Sequence, residues 1–165
     1  VLLLRHVDDN LDRHTKARYH ANVATLVGIP MPTAAEELSN PQAAEHAYQA
    51  ATVALKSATR DPKAFNLLFQ ENINYGFCRN MYGLWPVGFV LAVVGATVAG
   101  FQLHADYTAG LPVGVFAAIT AGASLLMLYL WLAVVRADWC RPAAFAYAER
   151  LLEASDELVR SRPDR

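Results

Sequence analysis

Chemically capable side chains crowd the start of this sequence. Arg5, His6, Asp8, Asp9, Asp12, Arg13, His14, Arg18 and His20 lie close together along the chain. Imidazoles, guanidiniums and carboxylates at this density have the means to move protons or hold a metal. Asp9 and Arg13 are four apart, as are His14 and Arg18, so on a helix each pair shares a face, and the first pair is an ordinary stabilising ion pair. A solvated, ion-paired or partner-binding helix face accounts for the whole set. Metal binding through His6 with Asp9 or Asp12 would need a histidine and carboxylate signature that is absent. No metal and no cofactor is therefore expected.

Arg13 and His20, with six residues between them, resemble the arginine-to-histidine spacing of HEPN ribonucleases, and His14 stands where those enzymes carry a polar residue after the arginine. The resemblance is confined to Arg13–His20. It implies a helical enzyme, often dimeric, with Arg13 and His20 as its catalytic candidates. No glycine-rich phosphate loop, serine nucleophile elbow or metalloprotease motif adds a further enzyme class. The leading expectation is a non-enzymatic protein.

The elements around this cluster are more informative than the cluster. Between Tyr82 and Arg136 there is no lysine or arginine, and two apolar runs, Leu84 to Leu103 and Leu111 to Val135, fill the gap. About 20 apolar residues suffice for a helix to cross a bilayer core. The pair reads as a transmembrane hairpin joined by Gln102 to Gly110. All 14 basic residues lie outside it, so the positive-inside rule places both termini in the cytoplasm and the joint outside; the expected location is a bacterial inner membrane. Acidic residues match the basic ones on both sides, eight against eight before the hairpin and six against six after it, which argues against a nucleic-acid surface or a polybasic lipid patch.

Prolines punctuate the remainder. Pro41, Pro62, Pro86, Pro112 and Pro142 each read as opening a helix, where the missing amide would have no partner anyway, and Asn40 and Asp61 are placed to cap two of them. A first helix is expected from Leu2 to Val27, stopped by Gly28 with Pro30 beyond, and a turn of helix at Ala34 to Leu38. The aromatic and amide-rich stretch Pro62 to Tyr82 suits the headgroup layer, bending near Gly76 or Gly83, or else packs within the cytoplasmic helices. Tyr82, Trp85, Trp131 and Trp139 belong to the membrane interface. The domain reading is a cytoplasmic region over 1–60, an interfacial helix over 61–83, the hairpin over 84–135 (spans 84–103 and 111–135) and an amphipathic helix within 136–165.

Inside the spans, Gly88, Ala92, Ala96 and Gly100, and then Gly114, Ala118 and Gly122, recur every fourth residue, a spacing that lets helix backbones approach closely. They are expected to pack the hairpin or to join copies of it. Thr97, Thr120, Ser124 and Tyr129 are the polar groups at depth, and no ion-relay carboxylate accompanies them. Cys78 and Cys140 flank the hairpin at a similar depth and could be neighbours, as reduced thiols or a redox pair. The chain opens on Val1 without a complete signal-peptide pattern, so a missing start is expected.

The sequence is thus expected to form an all-α integral membrane protein, a two-span helical hairpin with a cytoplasmic layer of about four helices. Its expected partners are membrane lipid and either further copies of itself or a larger membrane complex. In arrangement it is similar to the membrane effectors of bacterial immune systems, which oligomerise and disrupt the inner membrane, and to small accessory subunits of membrane complexes.

Overall fold

The protein is described here by a computed structural model covering residues 2–8 and 10–161, with the Leu2 side chain left out. Among those residues there are helices and no strands. Seven α-helices follow in order: α1 (Arg13–Val27), α2 (Ala34–Ser39), α3 (Pro41–Ala58), α4 (Asn66–Gly83), α5 (Trp85–Thr108), α6 (Val115–Tyr129) and α7 (Arg141–Arg160). They divide between two compact units, whose boundaries fall inside α4 after Tyr75 and inside α7 after Pro142.

The first unit is built on a core of Tyr19 and Val23 from α1, Tyr48 and Leu55 from α3, and Leu151 and Leu152 from α7. On α3 the buried positions Ala44, Tyr48, Ala51 and Leu55 are spaced four, three and four apart, the stripe of a helix with one buried face. Leu68 brings the first half of α4 into the same core. Polar bonds fix α1 on α7: Asn22 Nδ2 donates to Asp156 Oδ1 at 2.6 Å, and Arg18 pairs with the same carboxylate at 3.6 Å.

The first helix is shorter than expected. Leu2–Leu4 forms a single 3-10 turn, and α1 begins only at Arg13. Short acidic side chains take the backbone amides that a helix would need: Asp8 Oδ1 accepts from Asn10 N, and Asp12 Oδ1 accepts from the amides of His14 and Thr15, capping α1. The far end is as expected, with Gly28 at φ 72° returning its amide to Ala24 O, a left-handed cap that favours glycine. Asn40 caps α3 by accepting from Ala43 N, with Pro41 in the first turn. Pro62 instead lies in a turn ahead of α4, where Asp61 Oδ1 accepts from Lys63 N.

The second unit holds the apolar hairpin. Two helices there are long and apolar enough to cross a membrane, Trp85–Thr108 and Val115–Val134. The first outruns its expected end at Leu103, because its helical hydrogen bonding continues to Gly110 at φ 66°. Gly110 N donates to Tyr107 O and Leu111 N to Asp106 O, the paired closure of a Schellman cap. Pro112 therefore sits in the joint rather than opening α6. Asp106 also reaches across it, its Oδ2 accepting from Gly114 N at 3.3 Å. The helix α4 passes unbroken through Gly76, and the chain leaves it at Leu84.

The end of α6 widens into a π turn, Leu130–Val134. Val135 N donates to Leu130 O, five residues back, passing over the Trp131 carbonyl. That carbonyl accepts instead from Trp85 Nε1 at 2.7 Å. One extra residue in the turn thus supplies the bond that closes the hairpin base.

Candidate functional site

The first residues fold back on α1, so the cluster read along one helix is divided between the stretch before α1 and α1 itself. A cavity of about 720 Å³ is lined by His6, Arg13, Lys16, His20, Met31 and Pro32, among others. Arg13 and His20, the catalytic candidates, share this cavity, whereas His14 is exposed and stands outside its lining. The His6 and His20 rings meet edge to face at 4.8 Å, and His20 meets Tyr48 in the same manner at 5.9 Å. Asp9 lies outside the described residues.

Four basic side chains and no carboxylate form the wall, which would suit an anion. Most of that capacity is already committed. Lys16, only 7% exposed, donates through Nζ to the Asp8 and His6 carbonyls. His20 Nε2 lies 2.7 Å from Leu4 O and His6 Nε2 3.0 Å from Pro32 O. A carbonyl can only accept, so both Nε2 atoms carry the proton. Burial pushes the His20 pKa below its ordinary value, the Leu4 bond opposes this, and the neighbouring His6 and Lys16 reinforce it. Arg13 alone has no partner among the described residues, and it is exposed.

Behind the histidines, Tyr48 OH donates to Glu37 Oε2 at 2.7 Å, and His6 N donates to the same oxygen at 2.9 Å. Burial works to raise the Glu37 carboxyl, but these two donors outweigh it and hold the group below its usual range. Burial, and then this same bond, raises the Tyr48 phenol. The network closes backbone carbonyls and a carboxylate that folding would otherwise leave without partners, which is structural work. No protein-family model, curated protein or solved structure matches the chain.

Among the described residues no three His, Cys, Asp or Glu side chains converge as a metal site. Asp12, considered with His6 as a ligand, spends its carboxylate on the α1 cap.

The small-residue positions divide. Along α5 the covered or partly covered positions include Trp85, Gly88, Ala92, Gly95 and Ala99, and along α6 and its π turn Ala117, Ala121, Ser124, Leu128 and Trp131. Both sets step alternately by three and four, the spacing of a heptad seam. Gly88 and Ala92 lie in this seam, with Ala96 at its edge. Gly114 lies under the joint beside Asp106. Gly100, Ala118 and Gly122 are exposed, because a strict four-residue step drifts off a seam whose mean step is 3.5. Gly95 and Ser124, which face each other closely enough that a Cβ on Gly95 would lie 2.6 Å from Ser124 Oγ, were not among the expected contacts. The alternating step is the signal that finds them.

Of the four aromatics expected at a membrane interface, Tyr82, Trp85 and Trp131 line one cavity at the hairpin base. Trp85 also stacks on Phe89 at 5.4 Å. Trp139 packs its ring against Phe77 instead, at 6.2 Å and 75°.

Proposed function

We propose that this chain is a non-enzymatic, two-span protein of a bacterial inner membrane, both termini cytoplasmic, whose helical first unit binds a partner or further copies. The observation that carries the membrane assignment is the bareness of the two apolar helices: only 11% and 6% of their most apolar windows are buried. A core helix of a soluble protein would be mostly covered. Here Val87, Leu91, Val98, Phe116, Ile119 and Leu125 all face outward, a surface that water does not tolerate at this size and a bilayer does. The non-enzymatic assignment is supported by the committed state of His6, Lys16 and His20.

Self-assembly is the specific reading for the hairpin. It is supported by Gly100, Ala118 and Gly122, small residues that the hairpin seam leaves unused and that would admit a second helix closely. A pore or membrane-disrupting effector is the form of it that also places the exposed Thr97 and Thr120 hydroxyls. The membrane-anchored ribonuclease reading rests on the shared Arg13 and His20 cavity, and RNA cleavage lost in Arg13→Ala would be its mark.

The test is extraction and mass. Retention of the full chain in membranes washed with alkaline carbonate is expected, followed by a homo-oligomer mass in nanodiscs. Release by carbonate would overturn the membrane assignment, and a monomer mass would overturn self-assembly. Dye leakage from vesicles on reconstitution would select the pore form.

A further inference from the structure

We infer that the cavity at the hairpin base is a binding site for an anionic phospholipid, with Arg136 holding its headgroup phosphate. The inference rests on the membrane assignment above. The cavity, about 510 Å³, is lined by Tyr82, Trp85, Trp131, Leu132, Val135 and Arg136, among others, and carries no carboxylate.

Its polar inventory is short. The Trp85 indole N–H is spent on the Trp131 carbonyl, so that ring presents an apolar face. The Arg136 guanidinium and the Tyr82 hydroxyl are engaged by no described residue. The nearest acid along the chain, Asp138, is paired with Arg141 at 3.5 Å. Arg136 is therefore an uncompensated cation at the rim of an apolar cleft.

A guanidinium in that setting is matched by a phosphodiester, which its planar fork can meet with two parallel hydrogen bonds. The rest of the cleft asks for hydrocarbon. Leu132 in its lining is exposed, as are the apolar residues along both spans. A molecule that satisfies both ends carries an anionic head and an acyl body. Free phosphate satisfies only the first. The π turn is what shapes the opening, since the chain leaves α6 there and Val135 is turned inward to 6% exposure.

The experiment uses the full chain in vesicles, in a Trp139→Phe background so that emission comes from Trp85 and Trp131. Phosphatidylglycerol brominated near the headgroup end of its acyl chains is compared, at the same minor fraction, with phosphatidylcholine brominated at the same positions. Stronger quenching by the brominated phosphatidylglycerol is expected, with a roughly fivefold local preference, the size that one basic residue near an anionic headgroup supports. Arg136→Gln should abolish the preference, whereas Arg150→Gln, which removes a first-unit cation already paired with Glu153 and leaves the Asp138–Arg141 pair intact, should keep it. Equal quenching by the two lipids, a preference that survives Arg136→Gln, or one erased by excess inorganic phosphate would overturn the lipid site. Quenching by neither lipid would instead overturn the membrane assignment, so the two failures are distinct.

Discussion

The Trp131 indole lies directly against Gly88: a Cβ built on that glycine would sit 2.1 Å from the Trp131 ring. The hairpin base therefore needs an absent side chain on one helix to seat the largest side chain of the other. Gly88→Ala should displace the indole and destabilise the hairpin by about 1–3 kcal/mol, the usual cost of overpacking. The thermal midpoint in nanodiscs would report it. Trp131→Leu combined with Gly88→Ala should recover much of the loss, and a Gly88→Ala protein as stable as the parent would refute the contact.

Gly122 provides the contrast. Nothing lies within 4 Å of where its Cβ would be, and Ala118 is exposed beside it. Gly122→Leu and Ala118→Leu should leave the hairpin folded but lower the oligomer mass in nanodiscs. An unchanged mass for both would move the assembly surface elsewhere.

Stability of the first unit should fall in mild acid. The His20 pKa is depressed in the folded chain, so the unfolded chain takes up the proton more readily. Stability is then complete well above the ordinary histidine value of 6.5 and declines as pH falls through it. Burial of the ring is the main cause, with the Leu4 carbonyl and Glu37 opposing it and His6 and Lys16 adding to it, while Tyr48 packs edge to face on the ring. Hydrogen exchange across α1 and α3 as a function of pH would measure it, and His20→Gln should flatten the profile. A profile unchanged by that substitution would assign the acid sensitivity to other groups.

Burial, and the Cys78 thiol beside it, raise the pKa of the Cys140 thiol, and both cysteines are free. Treatment with diamide should join them within one chain, the two thiols giving up two protons and two electrons to the reagent's azo bond. Non-reducing mass spectrometry should show a chain two hydrogens lighter, formed faster as pH rises because the thiolate is the attacking species. Cross-linking between copies in its place would contradict the adjacency.

Helix positions were legible in the sequence wherever a local signal settled them. Asn40 before Pro41 and Gly28 after Val27 marked a start and a stop, and each carries the cap its side chain or φ angle requires. The failures have tertiary or competing local causes. Leu2 to Asp12 reads as helix by its apolar spacing, yet Asp8 and Asp12 divert the amides, and Leu3 and Leu4 are buried in the first unit's core. The α5 helix runs beyond its apolar stretch because a Schellman cap at Gly110 sets its end. Arg13 and His20 were singled out only by the six residues between them, and they do share a cavity. The commitment of His20 to Leu4 was not legible, since it needs the chain to double back from outside the helix.

Asp106, which fastens the joint by accepting from Gly114 N, is also the only acidic residue between Tyr82 and Arg136. In the proposed orientation that carboxylate must travel outward during biogenesis. A potential negative inside drives an anion in that direction, by about 2.3 kcal/mol per charge for each 100 mV. The loop lock thus doubles as an electrophoretic handle, and an energised membrane would draw the hairpin in more readily than a depolarised one.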